Sequence, residues 1–343
     1  MDTMFNNIAL LTKGWVEFPN LFGDKGLHIP INDVAFKLGS FEIRWYGLII
    51  CFAVVLCILL GLKSCKKHGL TQDDVLDYIL FAIPSAMIGA RLYYVIFKWD
   101  SYAEDPVTAL YVWEGGLAVY GGVITALIAL FCVAKYKKHS FLRVAGFAMP
   151  YIILGQAIGR WGNFFNQEAF GCGTTLPWGM TGDQISAWVN KQVANNVPGY
   201  SVGTLVHPTF LYESLWCFAA FAFMMIYRKK WEKHEGESLC LYMILYGFER
   251  MLVEGLRTDS LYLVKPIRVS QLLSAILMIV GIALLFDIKR RQKNIAGDIA
   301  NSESGEEVSS GLASVVEKMR LEENEKLEEI TESEETAKDE DQQ

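Results

Sequence analysis

The chain has 343 residues, 52% of them hydrophobic and 13% aromatic, with a formal net charge of −7. That charge is unevenly spread: residues 294–343 hold sixteen Asp/Glu and four Lys/Arg, a net of −12, which leaves residues 1–293 at +5. Length alone suggests two soluble domains, but the apolar residues fall into blocks of about twenty, the length that spans a bilayer core, and so exclude that reading.

Residues 1–43 lack a basic start, an apolar stretch and a small-residue cleavage site, so no signal peptide is expected. This segment is predicted to be extracytoplasmic and to lie along the membrane surface through Trp15, Phe18, Phe22 and Phe36. Seven apolar spans follow, at roughly 44–62, 76–97, 117–134, 144–161, 208–227, 239–257 and 269–287. The expected fold is therefore an all-α polytopic membrane protein, with seven transmembrane helices in 44–290 and an extracytoplasmic loop at 162–207. Residues 291–343 form an acidic tail, rich in Glu, Ser and Lys and poor in aromatics, that is predicted to be disordered. The seven cysteines have no metal-ligand spacing, and most lie in or near apolar spans, where a free thiol acts as a small hydrophobe. Cys172 stands apart because it adjoins a polar motif.

Basic residues in short loops mark the cytoplasmic face. The loops after spans 1, 3, 5 and 7 hold fifteen Lys/Arg in 37 residues, whereas the opposite segments hold seven in 118. The N-terminus is thus expected outside and the C-terminus inside. With that orientation the polar residues of six spans converge on the outer face: Tyr46, Arg91, Tyr120, Arg160, then His207, Tyr212 and Glu213, then Arg250, Glu254 and Arg257. Ionisable groups inside membrane spans are costly and mark function by default.

Three motifs carry the chemistry. Span 4 ends in Gly159-Arg160-Trp161-Gly162-Asn163-Phe164-Phe165-Asn166-Gln167-Glu168-Ala169-Phe170-Gly171. Its amides suit a glycerol headgroup, while its glycines also fit tight helix packing. In span 6, Tyr246, Arg250, Glu254 and Arg257 share a helical stripe less than a quarter-turn wide, and Glu249 points away from it and is expected to be peripheral. Arg250 and Glu254 can pair, as can Glu254 and Arg257. The two arginines exceed the one glutamate, which asks for an anion such as a lipid phosphate, a good match for a planar guanidinium. A structural ion pair that orients helices is the alternative. Glycine pairs at Gly115-Gly116 and Gly121-Gly122 flank Tyr120 and predict a bent or re-entrant start to span 3, or else a loop with an interfacial tyrosine. His207-Pro208 opens span 5, with Tyr212-Glu213 a turn later.

These landmarks, together with Arg44-Trp45-Tyr46-Gly47 and Gly89-Ala90-Arg91, resemble in content and order those of the prolipoprotein diacylglyceryl transferase family over nearly all of residues 30–290. The resemblance implies a bacterial multi-pass protein of the cytoplasmic membrane whose site faces the outer leaflet. It implies that a prolipoprotein's lipobox cysteine attacks phosphatidylglycerol, forming a thioether and releasing glycerol 1-phosphate. No metal, nucleotide or redox cofactor and no nucleic-acid partner is expected. The catalytic residues carried over are Arg160, Arg250, Tyr120 and Glu254. Those expected to bind substrate are Tyr46, Arg91, Asn163, Asn166, Glu168, Gly171, His207, Tyr246 and Arg257. Many family members have histidine where this chain has Tyr120. A phenol, with a pKa of about 10, is a poor base for a thiol, so Tyr120 is read as a hydrogen-bond donor. The field of Arg160 and Arg250, Glu168 and Glu254 remain other ways to favour the thiolate.

Two other classes compete on the residues alone. A transporter of an anionic lipid or small anion needs polar groups along a path to both faces, and these crowd one face. A scaffold acting through its acidic tail leaves the polar stripe unexplained.

Overall fold

The structure, a computed structural model, describes residues 14–23, 26–38, 41–258, 262–264, 267–301 and 317–318. The chain divides into two units, residues 1–285 and 286–343. The described part of the second is the end of the last helix and residues 317–318; most of the predicted disordered tail lies outside the described residues.

The N-terminal segment departs from the all-α expectation by forming short strands. Strand β1 (Gly14–Phe18) pairs antiparallel with β2 (Leu27–Ile31), Val16 opposite Ile29, and β3 (Val34–Leu38) pairs with β4 (Phe41–Arg44). Alternation explains the difference: Val16 and Phe18 point to one face of β1. They are buried there, with Ile31, in a small core shared with Phe164, Phe170, Met180 and Ile185. Phe22 and Phe36 remain exposed, and Trp15 stacks on His28.

Helix α1 (Trp45–Ser64) follows directly, then α2 (Gln72–Phe97), which a Thr71–Asp74 capping box starts. Next come α3 (Val119–Tyr136) and α4 (Phe141–Asn166). The loop expected at 162–207 has structure of its own: β5 (Gly173–Thr174), β6 (Thr181–Gly182), helix α5 (Asp183–Ala194) and β7 (Leu205–Val206). Here β6 extends the β1–β2 sheet, and β5 pairs with β7. The chain continues through α6 (Thr209–Lys230), α7 (Glu237–Glu254), the β8 (Tyr262–Val264) and β9 (Ile267–Arg268) pair, and α8 (Val269–Asn301). The all-α expectation thus omits nine short strands among the described residues. All lie outside the apolar blocks, where no twenty-residue periodicity marks them.

Six helices are long and apolar enough to cross a membrane: Trp45–His68, Gln72–Phe97, Val119–Tyr136, Phe141–Asn166, Thr209–Lys230 and Val269–Arg291. The chain is a mostly helical, multi-pass membrane protein. The sixth predicted span, α7, is not among them, because its 18 residues include Glu237, Glu249, Arg250 and Glu254. It nevertheless packs closely: a side chain at Gly247 would press on α8 at Ser274 O, and one at Gly281 on α7 at Cys240 O.

Within the bundle α4 is central. In its most apolar window 56% of residues are buried inside the protein, against 17% for each of α1, α2 and α3, whose side chains face outward. Gly159 and Gly162 give α4 its close fit to Ile50 and Tyr46 of α1. The re-entrant start predicted for α3 is not seen. Gly115 and Gly116 make a left-handed turn at φ 91° and 72° before the helix, and Gly121 and Gly122 sit inside regular helix against the α2 backbone.

Candidate active site

Alternating helix directions bring the polar residues named above to one end of the bundle. Arg160 is near the C-terminus of α4, Glu213 near the N-terminus of α6, and Arg250 and Glu254 near the C-terminus of α7. Glu213 is the hub. Its carboxylate is fully buried and pairs with Arg160, with Arg250 Nη1 at 3.1 Å, and with Arg257 Nη1 at 3.6 Å. Arg250 uses its other arm on Glu254, 2.7 Å away and one helical turn on. Three guanidinium groups thus converge on the one carboxylate of Glu213. The sequence shows the α7 stripe but gives Glu213 no place in it, because Glu213 meets its partners only through tertiary packing.

Small hydroxyl and indole contacts fix the helices that carry these charges. Ser214 Oγ donates to Ala157 O at 2.9 Å and accepts from Trp161 Nε1 at 3.1 Å, locking α6 to α4 beside Arg160 and Glu213. Tyr246, a turn before Arg250, stacks on Tyr242 with ring centroids 5.4 Å apart.

The end of the span-4 motif is a turn held by its own side chains. Gln167 ends α4 in a left-handed conformation, φ 48°, and its Oε1 accepts from Gln184 N at 3.0 Å. Glu168 Oε1 accepts from Asn163 Nδ2 at 2.9 Å and Asn166 Nδ2 at 3.2 Å, so both amides are partly committed to it. Gly171 is a packing residue. Its N–H donates to His207 O at 2.9 Å, Cys172 N donates to Leu256 O at 2.7 Å, and a side chain at Gly171 would meet His207 and Thr209. These bonds stitch the motif to the starts of α6 and of the segment after α7. His207 Nδ1 lies 3.2 Å from Tyr212 Oη, which accepts from Trp178 Nε1 at 2.7 Å. Burial holds the His207 imidazole below its usual pKa.

Two expected substrate contacts differ in character. Arg91 is buried and spends its guanidinium on backbone: Nε on Ala109 O at 2.8 Å, Nη1 on Gly115 O and Gly116 O at 2.6 and 3.1 Å, and Nη2 on Thr108 O at 2.9 Å. It anchors the segment between α2 and α3 and is not joined to the arginine cluster. Tyr46 packs against Gly162. Tyr120, in the first turn of α3, is exposed, and no bond links it to the cluster among the described residues. Glu249 overturns the peripheral reading: it is only 3% exposed, and neither carboxylate oxygen has a hydrogen-bond partner among the described residues.

The sequence profile of the prolipoprotein diacylglyceryl transferase family matches residues 33–287, which include every residue of this cluster. The chain belongs to that family. It is 42% identical over 261 residues to a phosphatidylglycerol–prolipoprotein diacylglyceryl transferase of Finegoldia magna, covering 76% of this chain and 97% of that one. It is 41% identical over 267 residues to the Lysinibacillus sphaericus transferase of that name, covering 78% and 95%. Against the Limosilactobacillus reuteri transferase it is 42% identical over 275 residues, covering 79% and 96%. Residues 1–32 and 288–343 lie outside the family match, so the acidic tail is an addition to the transferase body.

Proposed function

We propose that the protein transfers the diacylglyceryl group of phosphatidylglycerol to the lipobox cysteine of prolipoproteins. The observation that carries this reading is the gathering of Arg160, Arg250 and Arg257 on the buried Glu213 carboxylate at one end of a membrane bundle. The substrate thiol attacks the glycerol carbon that bears the phosphate. The carbon–oxygen bond breaks, a thioether forms, glycerol 1-phosphate leaves, and the thiol proton is released. The nucleophile comes from the prolipoprotein, so no serine or cysteine of the enzyme is needed. Arg160 and Arg250 bind the lipid phosphate and stabilise the charge that grows as it departs. Glu213 and Glu254 hold those two arginines in place, and Arg257, just past the end of α7, also pairs with Glu213. Tyr246 lines the approach, and Asn163, Asn166, Glu168, His207 and Tyr46 border the substrate side. Arg91 and Gly171 act by fixing backbone. Transport of an anionic lipid is the less favoured reading, since the charged cluster sits at one end of the bundle.

The same reading takes α7 as a seventh transmembrane helix, shielded from lipid by α4, α6 and α8, with the N-terminus outside and the C-terminus in the cytoplasm. The site then opens to the outer leaflet of the cytoplasmic membrane, and the tail is a cytoplasmic extension with no part in the chemistry. Its support is the bias of basic residues toward the loops after spans 1, 3, 5 and 7. Single cysteines replacing Thr174 and Ser201 should react with an impermeant thiol reagent in intact cells. One replacing Ser302 should react only after lysis; labelling of that position in intact cells would reverse the topology.

Tyr120 donates a hydrogen bond and is not an obligatory base. Tyr120→Phe is expected to slow transfer about tenfold, the size of one hydrogen bond of roughly 1.4 kcal/mol, with the pH–rate curve unchanged in shape. Tyr120→His is expected to remain active. A titration limb present in the native enzyme and missing in Tyr120→Phe would mark a phenolate base instead.

A further inference from the structure

A second polar contact lies deeper in the bundle, one helical turn (about 5.4 Å) from Arg160 along α4 and about two turns from Arg250 along α7. On α4, Gln156 is four residues before Arg160, and on α7, Tyr242 is four residues before Tyr246. Gln156 Nε2 donates to Tyr242 Oη at 2.9 Å, which leaves Gln156 Oε1 buried with no partner among the described residues. Turning the amide round exchanges the two atoms and still leaves one spare. Glu249 lies at the level of the cluster itself, one residue before Arg250 on α7; it is 3% exposed, and neither carboxylate oxygen has a hydrogen-bond partner among the described residues. The charged groups that act on it are Glu213, Arg160, Arg250 and Arg257, the cluster itself.

Buried polar atoms are nearly always paired, and each exception calls for a reason. Here the spare atoms are mainly acceptors, they lie beside the arginines assigned to the lipid phosphate, and no part of the proposed chemistry uses them. A donor supplied by the substrate accounts for all three facts. In phosphatidylglycerol the group next to the phosphate is a glycerol with two free hydroxyls. We propose that Glu249 and Gln156 bind this terminal glycerol and so set the preference for phosphatidylglycerol. The proposal rests on the substrate reading above and deepens it. The two residues act on headgroup choice, while the arginines act on the phosphate that all such donors share.

The test compares two donors in detergent micelles with a lipobox peptide. One is phosphatidylglycerol. The other is phosphatidylpropanol, which keeps the phosphate and diacylglyceryl group but has no headgroup hydroxyls. A site built to hydrogen-bond a hydroxyl rejects an analogue lacking it, so the native protein should favour phosphatidylglycerol in kcat/KM by roughly tenfold or more. Glu249→Leu and Gln156→Leu should bring the ratio close to one, the phosphatidylglycerol rate falling more than the phosphatidylpropanol rate. Glu249→Gln keeps the shape and one acceptor, should fall between, and carries the test if a leucine variant does not fold. A ratio near one in the native protein, or a native-like ratio in all three variants, overturns the proposal while leaving transfer from phosphatidylglycerol standing. A native protein that transfers from neither lipid overturns the substrate reading itself.

Discussion

Arg250→Lys is expected to lower the rate of diacylglyceryl transfer by roughly 100-fold or more, the loss typical of removing one preorganised donor from a charge-stabilising site. The charge is kept, so the effect isolates geometry. In the native structure Nη1 meets Glu213 at 3.1 Å and Nη2 meets Glu254 at 2.7 Å, so one planar group spans two helices. A lysine ammonium is a point charge on a flexible stem and cannot hold both carboxylates while also facing a phosphate. The loss should appear in kcat as well as KM, because the arginine acts on charge that grows during departure of the leaving group. Steady-state rates across phosphatidylglycerol concentrations measure both. Near-native kcat would remove Arg250 from the reaction.

Glu213→Ala is expected to destabilise the protein by about 3–5 kcal/mol, the usual result of deleting one partner of a buried ion pair. The reason is what remains. Arg160, Arg250 and Arg257 lose their common carboxylate, and of the three only Arg250 keeps its ion pair with Glu254. Glu213→Gln keeps the side-chain volume and one acceptor oxygen but still removes the charge, so it should be less destabilising and yet catalytically poor. Thermal unfolding in detergent, read by tryptophan fluorescence, checks the order: native, then Gln, then Ala. A melting temperature equal to the native value in Glu213→Ala would show that the carboxylate is not the hub of the cluster.

The apolar blocks made the membrane helices legible, because span length is set by bilayer thickness and needs no tertiary information. The α7 stripe was legible for a similar reason: Arg250 and Glu254 are neighbours on their own helix. Glu213 was harder to read. Its partners lie 53, 37 and 44 positions away in the chain, and only the packing of α4, α6 and α7 joins them. Arg91 shows the opposite error. An intramembrane arginine looks functional, but its donors are spent on carbonyls that no side-chain pattern reveals. Helical angle misled for Glu249, since a residue off the stripe can still be buried when the helix is packed on several sides. The strands around Val16 and Phe18 were hidden by their shortness.

The central claim is that this bundle moves a diacylglyceryl group onto a cysteine thiol. The most direct measurement incubates the purified full-length protein in detergent with phosphatidylglycerol and a peptide containing one lipobox cysteine. Mass spectrometry of the peptide and assay of the released headgroup follow. The expected result is a thioether-linked diacylglyceryl peptide and an equal amount of glycerol 1-phosphate, with neither formed when the cysteine is replaced by serine. Folded protein that binds phosphatidylglycerol but yields no modified peptide and no glycerol 1-phosphate would contradict the account.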